Sequence, residues 1–485
     1  MNRRNYTLHF ALAGALVVLA AAAGRIERWE GGRVIDAPRS QVVIGDAAPA
    51  AAPRRPVARY EEGEAEVLVR FKAGVSGERI EEIAASLNDR VEDEIESVEG
   101  LAAIDDLDNE EAERTAAEYA ALPEVEYAEP NFRIEVAPPG ANHIEYGDGR
   151  LASPLPPGGP NDPLLAEQWG LVNTGQRDGR AEADISAFAA WDKTQGSKKV
   201  VVAVLDSGVD YTHPDLAGNM WHRPDDIEMY RDDQLGLVDD YDGFSALAEE
   251  RDPMDENGHG THCAGIVGAE GDNNLGVAGV NWRVEIMPLK FMGRGGFGST
   301  KDAVASINYV IARKKDGVNV RVISASWGST ARSKALEDVI RKAGEADILF
   351  VAAAGNDGAD ADKRPHYPSG YKLPNVLSVA ALDRRDELTS FSNYGAKGVH
   401  VAAPGKEILS TWLGGTYREA SGTSMATPFV AGVAGLILSV EPNLSVKELR
   451  DRLTGTVDKL DSLKGKVSSG GRVNAARAVG AVQIK

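Results

Sequence analysis

A single cysteine in 485 residues, Cys263, has no partner for an intrachain disulfide, so core burial, with or without bound ions, must hold the fold. Positive charge is also scarce: 53 Lys and Arg stand against 74 Asp and Glu, for a net charge of −21. That balance argues against nucleic acid and anionic membrane surfaces as partners, since both are bound by clustered Lys and Arg. Internal repeats are lacking, and so is the HExxH pattern of a zinc hydrolase. Past the N-terminus no apolar run is expected to be long enough to cross a bilayer. What is present is a 43% hydrophobic content, ordinary for a folded chain longer than one domain needs.

The acidity is uneven. Residues 61–135 carry 24 acidic against 6 basic side chains, whereas the 325 residues from 161 onward carry a net charge of only −7. This shift marks a separate module. Ahead of it, Arg3 and Arg4 precede an apolar stretch from Phe10 to Ala23 that ends in small residues. That is the pattern of a secretory signal over residues 1–24, or of an anchor if uncleaved, and it predicts a secreted or extracytoplasmic protein. Residues 25–60, rich in Arg, Ala and Pro, read as a flexible linker. Residues 61–136 give the order βαββαβ, starting with the strand Val67–Phe71, which predicts a small α+β ferredoxin-like domain. A Pro/Gly-rich linker, 137–160, follows.

From 161 to 485 strands alternate with helices. Val200–Leu205, Glu285–Phe291, Val320–Ser324 and Ile348–Ala354 are continuous apolar runs, as expected of parallel strands covered on both faces. Ser299 with Asp302, and Ser445 with Glu448, are placed to cap helices. The predicted class is α/β, a doubly wound, mostly parallel sheet.

Active residues of such sheets gather at the carboxyl edge of the strands. Four candidates fall there: Asp206 in LDSGVD, His259 in NGHGTHCAG, Asn356 in VAAAGN and Ser424 in SGTSMATP. A serine hydroxyl needs an adjacent base, which His259 would supply, with Asp206 holding the imidazole's tautomer. Acyl transfer builds negative charge on a carbonyl oxygen, which the Asn356 amide and the Ser424 N–H would stabilise. Taken singly, each is as well explained by a turn, a cap or a satisfied core group. Together, in this order, they form a specific constellation.

DSG, HGTH, AAGN and GTSMATP resemble the motifs of the subtilisin-like serine peptidases, the subtilase family, over nearly all of the chain after Asn161. The resemblance implies a serine endopeptidase acting on protein or peptide substrates through an Asp-His-Ser triad and an acyl-enzyme. It further implies a cleft in which Gly296, Phe297 and Gly298 face Ser326, Trp327 and Gly328, and a peptide enters as an added strand. A pocket would lie between Ser326–Gly328 and Ala353, Ala354, Gly355 and Asn356. Asp357 and His366 would stand at its rim and base, or else be solvated loop residues. Structural Ca2+ is implied at Asp162, Asp215, Asn273, Leu275 and Val277. The acidic insertion Asp232, Asp233, Asp239, Asp240 and Asp242 is expected to be a solvated loop, since its spacing fits no standard calcium loop, with a second ion site as the alternative. The module at 61–136 resembles a subtilase propeptide, an intramolecular inhibitor whose tail after Phe132 would lie in the cleft until the chain cuts itself within the linker. The alternative is a lasting latent complex that acts as a peptide-binding protein. Cys263, one helical turn past His259, is either near the site or an inert packing residue; His262 is expected to be structural.

Overall fold

The computed structural model describes residues 66–108, 110–136, 159–232 and 234–481, together with the backbone alone of 145–146. The signal-like stretch, the 25–60 linker and most of 137–160 lie outside the described residues. The acidic segment forms β1 (Val67–Phe71), α1 (Gly77–Ser86), β2 (Asp89–Glu94), β3 (Leu101–Asp106), α2 (Ala112–Ala120) and β4 (Val125–Pro130). These make an antiparallel sheet of order β2-β3-β1-β4, as the βαββαβ reading requires. Side-chain alternation settles its two faces. Val67, Val69, Phe71, Ala102 and Ile104 close a small core with Ile80 and Tyr119, while Leu68, Leu101, Ala103 and Tyr127 join the core of the larger domain.

A short strand, β5 (Arg133–Glu135), leaves this sheet. The larger domain then follows with β6 (Gly196–Asp206), α3 (His259–Gly268), β7 (Arg283–Lys290), β8 (Phe297–Ser299), α4 (Thr300–Lys315), β9 (Val320–Ala325), α5 (Lys334–Glu345) and β10 (Leu349–Ala353). After these come β11 (Val376–Leu382), β12 (Val401–Pro404), the hairpin β13 (Ile408–Trp412) and β14 (Thr416–Ala420), and α6 (Thr423–Val440). The central sheet has nine strands: Phe244–Ser245, then β7-β6-β9-β10-β11-β12, then Gly471–Arg472 and the antiparallel Asp458–Lys459. Every other pairing in it is parallel. Both faces are covered, which is why the strands read as unbroken apolar runs. Val202, Val204, Val322, Val351 and Val379 pack toward α3 and α6; Val201, Ala203, Leu205, Ile323 and Phe350 pack toward α4 and α5. Both expected capping boxes are formed, Ser299 with Asp302 and Ser445 with Glu448.

Two expectations are corrected. Helix α6 is 18 residues long and apolar enough to cross a membrane by composition, contrary to the sequence reading, yet Thr423 to Leu438 are all buried and form the centre of the core. The acidic insertion is only partly solvated. Asp240 is fully buried, paired with Arg223 at 3.0 Å and Arg313 at 3.3 Å and accepting the Tyr309 hydroxyl at 2.8 Å.

The small sheet lies on α4 and α5 and supplies acceptors to the N–H groups that begin both helices. Lys301 N donates to Asn131 Oδ1 and Thr300 N to the Phe132 carbonyl, both at 2.9 Å. Glu129 accepts from Lys334 N at 2.8 Å and Ala335 N at 3.1 Å. An anion at a helix N-terminus meets unpaired N–H groups and the positive end of the dipole.

Candidate active site

Strand β6 ends at Asp206, fully buried, and α3 begins at His259. The His259 Nδ1 and Asp206 Oδ1 atoms are 2.7 Å apart. Nε2 has no hydrogen-bond partner among the described residues. Burial pushes the imidazole toward its neutral form, but contact with Asp206 outweighs this and raises its pKa above the ordinary 6.5. The sequence reading missed what holds this corner. Asp255 accepts from Ser207 Oγ, Asn257 N, Gly258 N, Thr261 N and Thr261 Oγ1, all within 3.0 Å, and Ser207 Oγ in turn accepts from Gly260 N. Its signal was an aspartate four residues ahead of the histidine, in DENGH. Gly258 takes φ +98 here, and a Cβ would stand 2.5 Å from the Trp412 ring, so only glycine makes this turn.

Ser424 lies in the first turn of α6. Its hydroxyl donates to the Ser326 carbonyl at 2.9 Å, and Ser326 Oγ returns a bond to the Ser424 carbonyl at 2.8 Å. The serine is thus parked on the end of β9 rather than bonded to His259; a staggered rotation about χ1 separates such states. Asn356 is oriented by Thr423, whose N–H and hydroxyl both bond Asn356 Oδ1, at 2.9 and 3.0 Å, leaving Nδ2 to point outward. A Cβ built on Gly422 would stand 3.5 Å from both Asn356 Nδ2 and Ser424 N, so the two donors converge on one small volume. Cys263 is buried, with Sγ 3.6 Å from the Ser424 carbonyl and 4.0 Å from His259 Nδ1, and burial raises its thiol pKa. His262 Nε2–H donates to the Ile408 and Arg418 carbonyls, and burial lowers its pKa to about 3, a structural role as expected.

The cleft is filled by the chain's own tail. Strand β5 pairs antiparallel with β8, Glu135 opposite Phe297, Ile134 opposite Gly298 and Arg133 opposite Ser299. On its other side Glu135 bridges Gly328, and Val136 N donates to the Gly296 carbonyl at 3.0 Å. The Arg133 guanidinium stands 3.7 Å over the Phe297 ring. Trp327 faces inward instead: it is buried, its indole N–H bonds the Leu205 carbonyl, and it packs on Phe291. Ala353 and Ala354 are buried, and Gly355 N donates to Thr423 Oγ1 at 3.2 Å, fastening the end of β10 beside Ser424.

Asp162 and Asp215 are buried close enough to repel, and Asp162, desolvated first and then opposed by Asp215, is raised to about 6. Asp215 accepts from Asn273 Nδ2 at 2.7 Å and Val277 N at 2.9 Å; Asn273 Oδ1 accepts from Leu275 N; Asp162 Oδ1 has no partner among the described residues. An orphaned buried carboxylate oxygen beside a second carboxylate suits a hard cation. Among the described residues the insertion acids gather at no such point: Asp232 caps Gln234 and Leu235, and Asp242 meets His222; Asp233 lies outside the described residues.

A parallel α/β sheet with a serine, a histidine and an aspartate along one edge, and a bound extended chain beside them, is the design of a serine peptidase. The chain belongs to the subtilase family, whose pattern (Peptidase S8) matches residues 197–480. A second pattern, the fervidolysin N-terminal prodomain, matches residues 46–131. A thermophilic serine proteinase of Bacillus sp. (strain AK1) is 34% identical over 428 residues, covering 87% of this chain and 88% of the relative. Thermitase of Thermoactinomyces vulgaris is 36% identical over 321 residues, 66% of this chain and 99% of the relative. Subtilisin-like protease 2 of Plasmodium falciparum (isolate 3D7) is 37% identical over 305 residues, 61% of this chain but 22% of the relative.

Proposed function

We propose that this subtilisin-like serine peptidase is an exported endopeptidase made as a self-processing precursor. The observation that carries the reading is β5, held as an extended strand between Gly296–Ser299 and Gly328, two residues from the carbonyl that receives the Ser424 hydroxyl. In the reaction, Ser424 turns from Ser326 toward His259 Nε2, which takes its proton as Oγ attacks the substrate carbonyl. Asp206 holds Nδ1–H and stabilises the imidazolium. Asn356 Nδ2 and Ser424 N receive the oxyanion. His259 then returns the proton to the leaving amine, and water hydrolyses the acyl-enzyme by the same route. The domains would be a signal or anchor (1–24), a linker (25–60), an inhibitory prodomain (61–136), a processing linker (137–160) and the catalytic domain (161–485). Export rests on the Arg3–Ala23 pattern.

Asp162, Asp215, Asn273 and the carbonyls of Leu275 and Val277 would hold Ca2+, which would neutralise the two buried carboxylates and tie the start of the domain to the 273–277 loop. The deciding experiment is intact mass against time for wild type and Ser424→Ala, with and without Ca2+. Loss of about 135–160 N-terminal residues in wild type alone supports self-processing. If both chains stay whole while folded, self-processing is refuted, and a lasting latent complex becomes the better account.

A further inference from the structure

Two glycines wall the space beside Ser424. Gly328 ends the segment that pairs with the cleft-bound tail, and Gly355 ends the segment fastened to Thr423. Glycines facing each other across a cleft leave room for an incoming side chain, but here the room is taken. A Cβ at Gly328 would stand 2.3 Å from His366 Cε1 and 2.8 Å from Nδ1; one at Gly355 would stand 3.0 Å from His366 Cγ and Cδ2. The imidazole therefore spans the gap, one edge against each wall. Its chain position is fixed by mutual hydrogen bonds between Ser329 and Tyr367, each N–H to the other's carbonyl at 2.8 Å, so the ring cannot withdraw by moving the loop alone. Burial lowers its pKa, opposed by Asp357 and by a bond with the Ala353 backbone, so the ring is a neutral, compact plug rather than a cation that would recruit acidic substrates.

We propose that His366 closes the primary specificity pocket, so that the peptide bond cut is the one following a small residue: alanine, glycine or serine. This rests on the peptidase reading above and adds its substrate class. A larger side chain would meet the ring before its own methylenes were buried, and lost pocket burial is paid in kcat/KM.

The test is a series of peptide substrates differing only at the residue before the scissile bond (Ala, Leu or Phe), cut by the processed enzyme. Wild type should prefer Ala over Phe by about tenfold or more in kcat/KM. His366→Gly should reverse or erase that ratio, and His366→Asn, shorter but still polar, should fall between. Wild type preferring Phe or Leu, or a His366→Asn ratio equal to that of wild type, overturns the proposal whatever becomes of the glycine variant. Fluorophosphonate labelling of Ser424, read on the same samples, separates the two layers. Labelling with the wrong ratio overturns the pocket alone, whereas absence of labelling in processed wild type overturns the peptidase reading and the pocket with it.

Discussion

Around Ser424, small choices of side chain set the chemistry. Asn356→Ala removes one of two convergent donors and should lower kcat by about 10²–10³-fold with KM little changed, as steady-state kinetics would show. Gly422→Ala tests the same volume from the opposite side. Its φ of 162 is extended backbone that alanine adopts freely, so the thermal midpoint should hold while a methyl 3.5 Å from both donors crowds the oxyanion and cuts kcat about 10²-fold. His259 must be neutral to act, and Asp206 raises its pKa above 6.5, so the acid limb of the kcat/KM profile should lie above that value and move down in Asp206→Asn. The four candidate active-site positions were legible in the sequence, Asp206 and Asn356 at strand ends, His259 and Ser424 at helix starts. The sequence reading also set His366 at the pocket base, with a solvated loop as the alternative; the hydroxyl's resting bond to Ser326 was not legible, because it joins segments 98 positions apart.

At the scale of elements, the joint between the two domains is made of helix ends. Glu129 is raised by burial but held by three donors from Ser333, Lys334 and Ala335. Glu129→Ala leaves buried N–H groups unpaired and should loosen the joint by about 1–3 kcal/mol. Hydrogen exchange on the Ser424→Ala chain should find the first turn of α5 and the amides of β1 and β4 less protected, with α6 unchanged. The periodicity of the acidic segment was enough to predict its βαββαβ order, and the Ser-x-x-Asp/Glu boxes to predict two helix starts. The buried Asp240 was misjudged because the folding of the insertion that brings Arg223 to it, and the helix that brings Arg313 from 73 positions away, leave no mark in the spacing of the acids.

Over the whole molecule, the acidic prodomain holds carboxylates that resist ionising, one of them, Asp93, facing Asp232 and Lys301 of the catalytic domain and two, Glu66 and Asp89, within the prodomain itself. Asp93, buried first and then opposed by Asp232, Glu96 and Glu92, with Lys301 pulling the other way, is raised to about 8; Glu66 is raised to about 7 and Asp89 to about 6 by burial and neighbouring acids. A carboxyl whose folded pKa is raised contributes its stability fully below the ordinary value of 3.8 and loses it as pH climbs toward the folded value. The prodomain of the Ser424→Ala chain should therefore loosen progressively between about pH 4 and 8. Asp93→Asn should flatten the upper part of that curve in thermal unfolding measured across the range. A midpoint that rises toward pH 8 would contradict this.

The place of β5 has one more consequence. Once the tail leaves, the slot between Gly296–Ser299 and Gly328 is one strand wide, about 9 to 10 Å between its two bounding edges. A helix, about 10–12 Å across with its side chains, is excluded, and so is a strand already paired within a sheet. Only a segment that has given up its own backbone partners fits. The rate at which a folded protein is cut is then governed by how often it opens by local fluctuation, which makes the slot a gauge of its victim's stability.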